Sequence, residues 1–202
     1  MSRTRIKICG LFRPEDAAAV NAARPDYAGF VFHTQSRRYV TPEQARALRS
    51  AITPAIRTVG VFVDTSPEDI ADLYRAGIIG AVQLHGGEDE SYLTKLRRLL
   101  PGAEIWKAFV IRSEEDLCAA AKSTADRVLL DGGAGDGTPF PWGLAERFPR
   151  PFFLAGGLMP ETIPEAVRRL HPWGVDLSSG VETEGRKDPA KIMAAVQAAG
   201  RS

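Results

Sequence analysis

The sequence has few of the residues that hold metals or crosslinks. Its 202 residues include two cysteines, Cys9 and Cys118, and three histidines, His33, His85 and His171. Two cysteines cannot form the disulfide framework of a small secreted protein, and they have no zinc-ligand spacing with the histidines. We therefore predict no bound metal, and a reducing compartment such as the cytoplasm.

An excess of charge of one sign and long apolar runs are also absent. Lysine and arginine number 26, aspartate and glutamate number 25, and the net charge is +1. This balance predicts neither a nucleic-acid partner nor a basic membrane-binding face. No apolar run approaches the roughly 20 residues that a membrane-spanning helix needs, and residues 1–5 contain no apolar core of a signal peptide. We expect a cytoplasmic protein.

What the sequence does contain is a regular series of short apolar runs. They are mostly continuous rather than alternating, as in residues 29–32, and this pattern is typical of strands that are buried on both faces. The runs begin near Ile6, Ala28, Thr58, Ala81, Ile105, Val128, Phe152 and Val175.

The segments between the runs have helix signals. Thr41-Pro42, Ser66-Pro67 and Asp188-Pro189 each place a capping residue before a proline, and apolar residues recur at helical spacing over 163–170. Alternating strands and helices of this kind predict an α/β protein, and eight such units favour a closed (β/α)8 TIM barrel. With no linker-like segment to divide it, the chain is expected to form a single domain over residues 1–202.

Glycines and a serine follow the last two strands of the predicted barrel. Gly156 and Gly157 come after the seventh run, and Ser179 and Gly180 after the eighth. The loops after strands 7 and 8 commonly hold a phosphate in such barrels, because glycines let backbone N–H groups approach an anion. We predict a phosphate site formed by these four residues.

Two further strand ends have reactive side chains. Cys9 ends the first run, and Asp131 ends the sixth, where a carboxylate costs free energy unless it is paired or used. The second strand leads to two adjacent arginines, Arg37 and Arg38, and a guanidinium there could pair with a substrate carboxylate. Cys118 lies in a helical segment, where we expect it to be packed as a small hydrophobic residue.

Residues two apart on a strand share a face. Lys7 therefore points the same way as Cys9, and Gln83 the same way as His85. Lys7 and Asp176 are predicted either as a paired polar layer inside the barrel or as part of the catalytic apparatus.

Taken together, these residues resemble the phosphoribosylanthranilate isomerase family of tryptophan biosynthesis. The resemblance extends over essentially the whole chain. It rests on the segments KICG (7–10), GFVF (29–32), SRRY (36–39), VGVFV (59–63), VQLHG (82–86), LLD (129–131), AGGL (155–158), VDLSSGVE (175–182) and GRKD (185–188).

The resemblance implies a cofactor-free Amadori rearrangement of N-(5-phosphoribosyl)anthranilate. In this family a general acid protonates the sugar ring oxygen and a general base removes the proton on C2. By resemblance Asp131 is the acid, Cys9 is the base and Arg38 meets the anthranilate carboxylate. His85 and Asp176 are further candidates for substrate binding.

Two alternatives remain open on the sequence alone. The chain could be another phosphosugar-binding TIM barrel, or a binding barrel that has lost catalysis. The histidine-pathway isomerase performs the same chemistry with two aspartates, so a cysteine at position 9 argues against it. The family includes monomers and homodimers, and both states are compatible with the sequence.

Overall fold

Eight parallel strands close into a barrel in the computed structural model, which describes residues 3–133 and 142–200. Each strand pairs with the next along the chain, and the eighth pairs with the first. The strands are β1 (Arg5–Cys9), β2 (Tyr27–Val31), β3 (Arg57–Phe62), β4 (Ala81–Leu84), β5 (Glu104–Val110), β6 (Arg127–Asp131), β7 (Phe152–Ala155) and β8 (Gly174–Leu177). The predicted TIM barrel is confirmed.

Helices follow the strands and cover the outside of the barrel. They are α1 (Pro14–Ala23), α2 (Pro42–Ala51), α3 (Pro67–Arg75), α4 (Glu90–Leu99), α5 (Glu114–Lys122), α6 (Trp142–Ala145), α7 (Ile163–Leu170) and α8 (Pro189–Gly200). A 3₁₀ helix (Ser179–Val181) and a small antiparallel hairpin of β9 (Glu182–Thr183) and β10 (Arg186–Lys187) lie between β8 and α8.

The predicted helix caps are present. Thr41 Oγ1 accepts a hydrogen bond from the Gln44 N–H at 3.2 Å, and Gln44 Oε1 accepts one from the Thr41 N–H at 2.9 Å. The Asp188 carboxylate similarly accepts from the N–H groups of Ala190 and Lys191 at the start of α8. Each cap satisfies backbone donors that the first helical turn leaves without a partner.

Aromatic side chains fill much of the barrel interior. Trp106 and Phe153 stack with ring centroids 4.6 Å apart, and Tyr27 meets both rings edge-on. The interior cluster comprises Tyr27, Val59, Ala81, Trp106, Ala108, Leu129, Phe153 and Ala155. The barrel is therefore a packed core rather than a pore, and a ligand site is expected where the strands end.

In residues 3–133 and 142–200, no helix combines the length and the apolar character that crossing a bilayer requires.

Candidate active site

Asp131 and His85 meet at the C-terminal mouth of the barrel. Asp131 is the last residue of β6, His85 follows β4, and His85 Nε2 lies 3.4 Å from Asp131 Oδ2. The side-chain amide of Gln83 lies 3.4 Å from His85 Nδ1. The His85 ring thus lies between the Gln83 amide on its Nδ1 side and the Asp131 carboxylate on its Nε2 side.

Gly156 makes room for the Asp131 carboxylate. A Cβ atom at this position would lie 2.8 Å from Asp131 Oδ1 and 2.4 Å from the backbone nitrogen of Gly132. Asp131 Oδ1 also accepts a hydrogen bond from the Gly133 N–H at 3.1 Å. The loop after β7 therefore packs directly against the loop after β6, and a side chain at position 156 would displace the carboxylate. The rest of that second loop, residues 134–141, lies outside the described residues.

Cys9 lies beside a buried ion pair. Lys7 Nζ donates to Asp176 Oδ2 at 2.8 Å, and the two residues are register partners on β1 and β8. A Cβ atom at Gly29 of β2 would lie 2.8 Å from Cys9 Sγ and 3.2 Å from Lys7 Cε. Lys7 and Cys9 thus share one face, as predicted, and the glycine on the neighbouring strand leaves space for both.

Burial and neighbouring charges have opposing effects on the pKa values of Cys9 and of Lys7. Burial raises the pKa of the Cys9 thiol above its ordinary value; the Lys7 ammonium acts against this, the Asp176 carboxylate adds to it, and Lys187 lowers it. Burial alone would lower the pKa of Lys7, but Asp176 and Cys9 outweigh it and raise that pKa, so Lys7 stays charged. Lys7 therefore places a fixed positive charge beside the Cys9 thiol and opposes the effect of burial on its pKa.

Arg38 lies across the end of β1. A Cβ atom at Gly10 would lie only 2.3 Å from Arg38 Cδ, and Gly10 has φ +76°, which favours glycine. The arginine side chain therefore occupies the space that the glycine after Cys9 leaves open, next to the thiol-bearing strand end.

Glu182 and Lys187 belong to the site, although sequence reasoning gave them no role. Glu182 accepts hydrogen bonds from Arg37, Arg38 and Lys187. Lys187 also donates to the Ser178 carbonyl at 2.9 Å. A sequence signal existed, because both residues lie in the segments 175–182 and 185–188 that carry the family resemblance.

The loops after β7 and β8 are in direct contact. A Cβ atom at Gly180 would lie 1.8 Å from the carbonyl oxygen of Leu158, so only glycine fits between them. Gly157 has φ +66°, and no acceptor within residues 3–133 and 142–200 is bonded to its backbone N–H. Ser179 begins the 3₁₀ helix. The four residues predicted for phosphate thus lie on two loops that touch.

One prediction about the cysteines was wrong. Cys9 is buried, but Cys118 is exposed on α5 rather than packed. In α5 the apolar side of the helix is defined by Ala120, so position 118 falls on the solvent side. Among the described residues, no group of three or more histidine, cysteine, aspartate or glutamate side chains is arranged to hold a metal ion.

Residues 6–198 match the family model of N-(5'-phosphoribosyl)anthranilate (PRA) isomerase. The N-(5'-phosphoribosyl)anthranilate isomerase of Endomicrobium trichonymphae is 45% identical over 198 residues, which is 96% of both chains. A phosphoribosyl anthranilate isomerase solved in complex with reduced 1-(o-carboxyphenylamino)-1-deoxyribulose 5-phosphate superimposes with a TM-score of 0.85 at 36% identity, over 97% of this chain and 98% of that one.

A second solved structure concerns assembly. It contains monomers generated from the dimeric phosphoribosylanthranilate isomerase of Thermotoga maritima, with a TM-score of 0.84 and 37% identity, over 97% of this chain and 98% of that one. The family match covers residues 6–198, and the similarity to these relatives extends over nearly the full length of both chains. The chain belongs to the N-(5'-phosphoribosyl)anthranilate isomerase family.

Proposed function

We propose that the protein converts N-(5'-phosphoribosyl)anthranilate to 1-(2-carboxyphenylamino)-1-deoxyribulose 5-phosphate in tryptophan biosynthesis. The observation that carries the proposal is the match to the isomerase family over residues 6–198, on a barrel whose mouth has both Cys9 and Asp131 at strand ends. Membership of the isomerase family supports the activity, and we assign the roles of individual residues from their positions at the barrel mouth.

Asp131 acts as the general acid in this proposal. It gives a proton to the ring oxygen of the sugar, the C1–O bond breaks, and the open chain carries a protonated Schiff base. His85 Nε2 lies 3.4 Å from Asp131 Oδ2, and we assign His85 to stabilise the carboxylate by an N–H donor once Asp131 has lost its proton. General acid catalysis by a positioned carboxyl contributes roughly 10²- to 10⁴-fold to a rate.

Cys9 acts as the general base in the next step. Its thiolate removes the proton from C2, and the electron pair moves to the Schiff-base nitrogen to give an enolamine, which tautomerises to the aminoketose. Lys7 favours the thiolate electrostatically and is held in place by Asp176. A side-chain oxygen of Asp176, Oδ1, is buried without a hydrogen-bond partner in the described part of the chain, and we assign it to substrate binding.

The two ends of the substrate are anionic, and the mouth offers a site for each. We assign the anthranilate carboxylate to Arg38 and the phosphate to Gly156, Gly157, Ser179 and Gly180. The Gly157 N–H, to which no acceptor is bonded among the described residues, suits a phosphate, and a guanidinium suits a carboxylate.

Complementation tests the function. Expression of the protein should restore growth without tryptophan to a strain that lacks only this isomerase, and the purified protein should convert the substrate to the aminoketose. Growth failure together with an inactive, folded protein would overturn the proposal.

We further propose a cytoplasmic enzyme that needs no cofactor or metal, and that has neither a nucleic-acid partner nor a membrane partner. A monomer or a homodimer is expected in solution. Activity that survives extensive treatment with a chelator, and a mass of one or two chains by light scattering, would support this description.

A further inference from the structure

Glu182 is a buried carboxylate that is surrounded by cations. Its side chain is 4% exposed, and it pairs with Arg38, Arg37 and Lys187 at 2.6, 2.6 and 2.8 Å. Burial alone would raise the pKa of Glu182, but hydrogen bonds from Arg38 and Lys187 outweigh it and lower that pKa. The carboxylate is therefore ionised at neutral pH, and three cations around one anion leave the cluster net positive.

The contact with Arg38 is bidentate. Arg38 Nε donates to Glu182 Oε1 at 2.6 Å, and Nη2 donates to Oε2 at 2.9 Å. Two parallel bonds of this kind fix the plane of a guanidinium as well as its position. Because the arginine stem also lies against Gly10, the side chain is held at both ends beside the end of β1. Within residues 3–133 and 142–200, Nη1 has no acceptor bonded to it.

We propose that Glu182 is a positioning residue for carboxylate recognition: it holds the Arg38 guanidinium at the barrel mouth, so that the remaining N–H groups face the ring carboxylate of the ligand. The proposal rests on the proposed function. An arginine without this partner would retain its charge but sample several rotamers, and each would have to be given up on binding.

The test compares two ligands that differ in one group. The first is reduced 1-(o-carboxyphenylamino)-1-deoxyribulose 5-phosphate, and the second is the same compound without the ring carboxylate. Glu182→Gln should weaken binding of the first ligand about tenfold or more, the scale of a charge-assisted hydrogen bond. Binding of the second should change by less than about twofold, since its phosphate and sugar contacts do not involve Arg38.

A double-mutant cycle separates positioning from a direct contact. In an Arg38→Met background the preference for the carboxylated ligand should already be lost, and adding Glu182→Gln should not change it further. Arg37→Gln is the matched control, because Arg37 also bonds Glu182 but is 58% exposed. It should leave the preference as it is in the wild type.

Each outcome decides a separate question. The positioning role would be overturned if Glu182→Gln kept the wild-type preference for the carboxylated ligand. It would also be overturned if the substitution weakened binding of both ligands equally. Wild-type protein that binds neither ligand would instead overturn the proposed function. If Glu182→Gln does not fold, Glu182→Asp keeps the charge and shortens the reach, and it should weaken binding of the carboxylated ligand alone; unchanged binding would again overturn the role.

Discussion

At the scale of single residues, Asp131 is the first to test. Asp131→Asn should lower kcat by at least about 10²-fold, because an amide cannot donate the ring-opening proton. The reduced product analogue should still bind, since the amide keeps the size of the carboxyl and one acceptor oxygen. Steady-state kinetics and calorimetric titration measure the two quantities.

Asp126→Asn provides the control for this change. Asp126 lies directly before β6, at the end of the barrel away from the mouth, and it accepts a hydrogen bond from the Ile105 N–H at 2.8 Å. It can affect stability but should leave kcat near the wild-type value. If Asp131→Asn has the wild-type kcat, Asp131 is not the general acid.

Cys9 should be required for turnover but not for folding. Cys9→Ala removes a single sulfur at a strand end, and we expect a normal circular dichroism spectrum with almost no isomerase activity. In a Cys118→Ser background, which removes the exposed thiol, iodoacetamide should inactivate the enzyme and the product should protect it. If Cys9→Ala turns over at the wild-type rate, the thiol only packs and His85 becomes the next candidate for the base.

The pH dependence of Cys9 should respond to its neighbours. The charged groups that lower or raise its pKa are Lys7 on β1, Lys187 on β10 and Asp176 on β8. Lys7→Met removes a cation that lowers the thiol pKa, so this pKa should rise and less thiolate should be present at a given pH. The rate of alkylation of Cys9 should then increase only at higher pH than in the Cys118→Ser parent.

Because Lys7→Met can destabilise the protein, a second variant is needed to test the same electrostatic effect. Removing one partner of a buried ion pair costs about 3–5 kcal/mol, so Lys7→Met is to be measured at low temperature with its fold verified. Lys187→Met should shift the profile in the same direction. A shift to lower pH in both variants would contradict the electrostatic account.

At the scale of elements, the contact between the loops after β7 and β8 predicts a phosphate site. Inorganic phosphate should compete with the substrate in the wild type. Gly180→Ala should weaken this competition, because the new Cβ would overlap the Leu158 carbonyl and force the two loops apart. Inhibition constants for phosphate measure the effect.

Gly143→Ala is the matched control among the glycines. A Cβ at position 143 of α6 meets no atom of another element within 4 Å in residues 3–133 and 142–200, so phosphate inhibition of Gly143→Ala should equal that of the wild type. If phosphate inhibits Gly180→Ala and the wild type equally, the assignment of the phosphate site to these loops is wrong.

The elements themselves were predictable because their signals are local. Proline after a capping residue marks where α2, α3 and α8 begin, and continuous β-branched runs mark the strands. Cys118 shows where local reasoning failed. The short α5 has a weak apolar pattern, and its rotation about the helix axis is decided by what it packs against.

At the scale of the whole molecule, the repetition of strand and helix predicted barrel closure. Each of the eight strands begins within one residue of the start expected from its apolar run. Closure then explains why strand ends that are distant in sequence form one site, since all eight parallel strands end at the same mouth.

The sequence by itself determined the order of elements, the barrel, and which residues stand at strand ends, because periodicity and turn chemistry act over a few neighbouring residues. Only the tertiary structure decided which of these residues meet. The sequence offered a Lys7–Asp176 pair only as one of two alternatives, and the structure shows that these residues, 169 positions apart, form a buried pair. Glu182, for which the sequence predicted no role, pairs with an arginine on the loop after β2. Such partners depend on distances through space that exist only once the barrel has closed, and they set the charge around Cys9 and the orientation of Arg38.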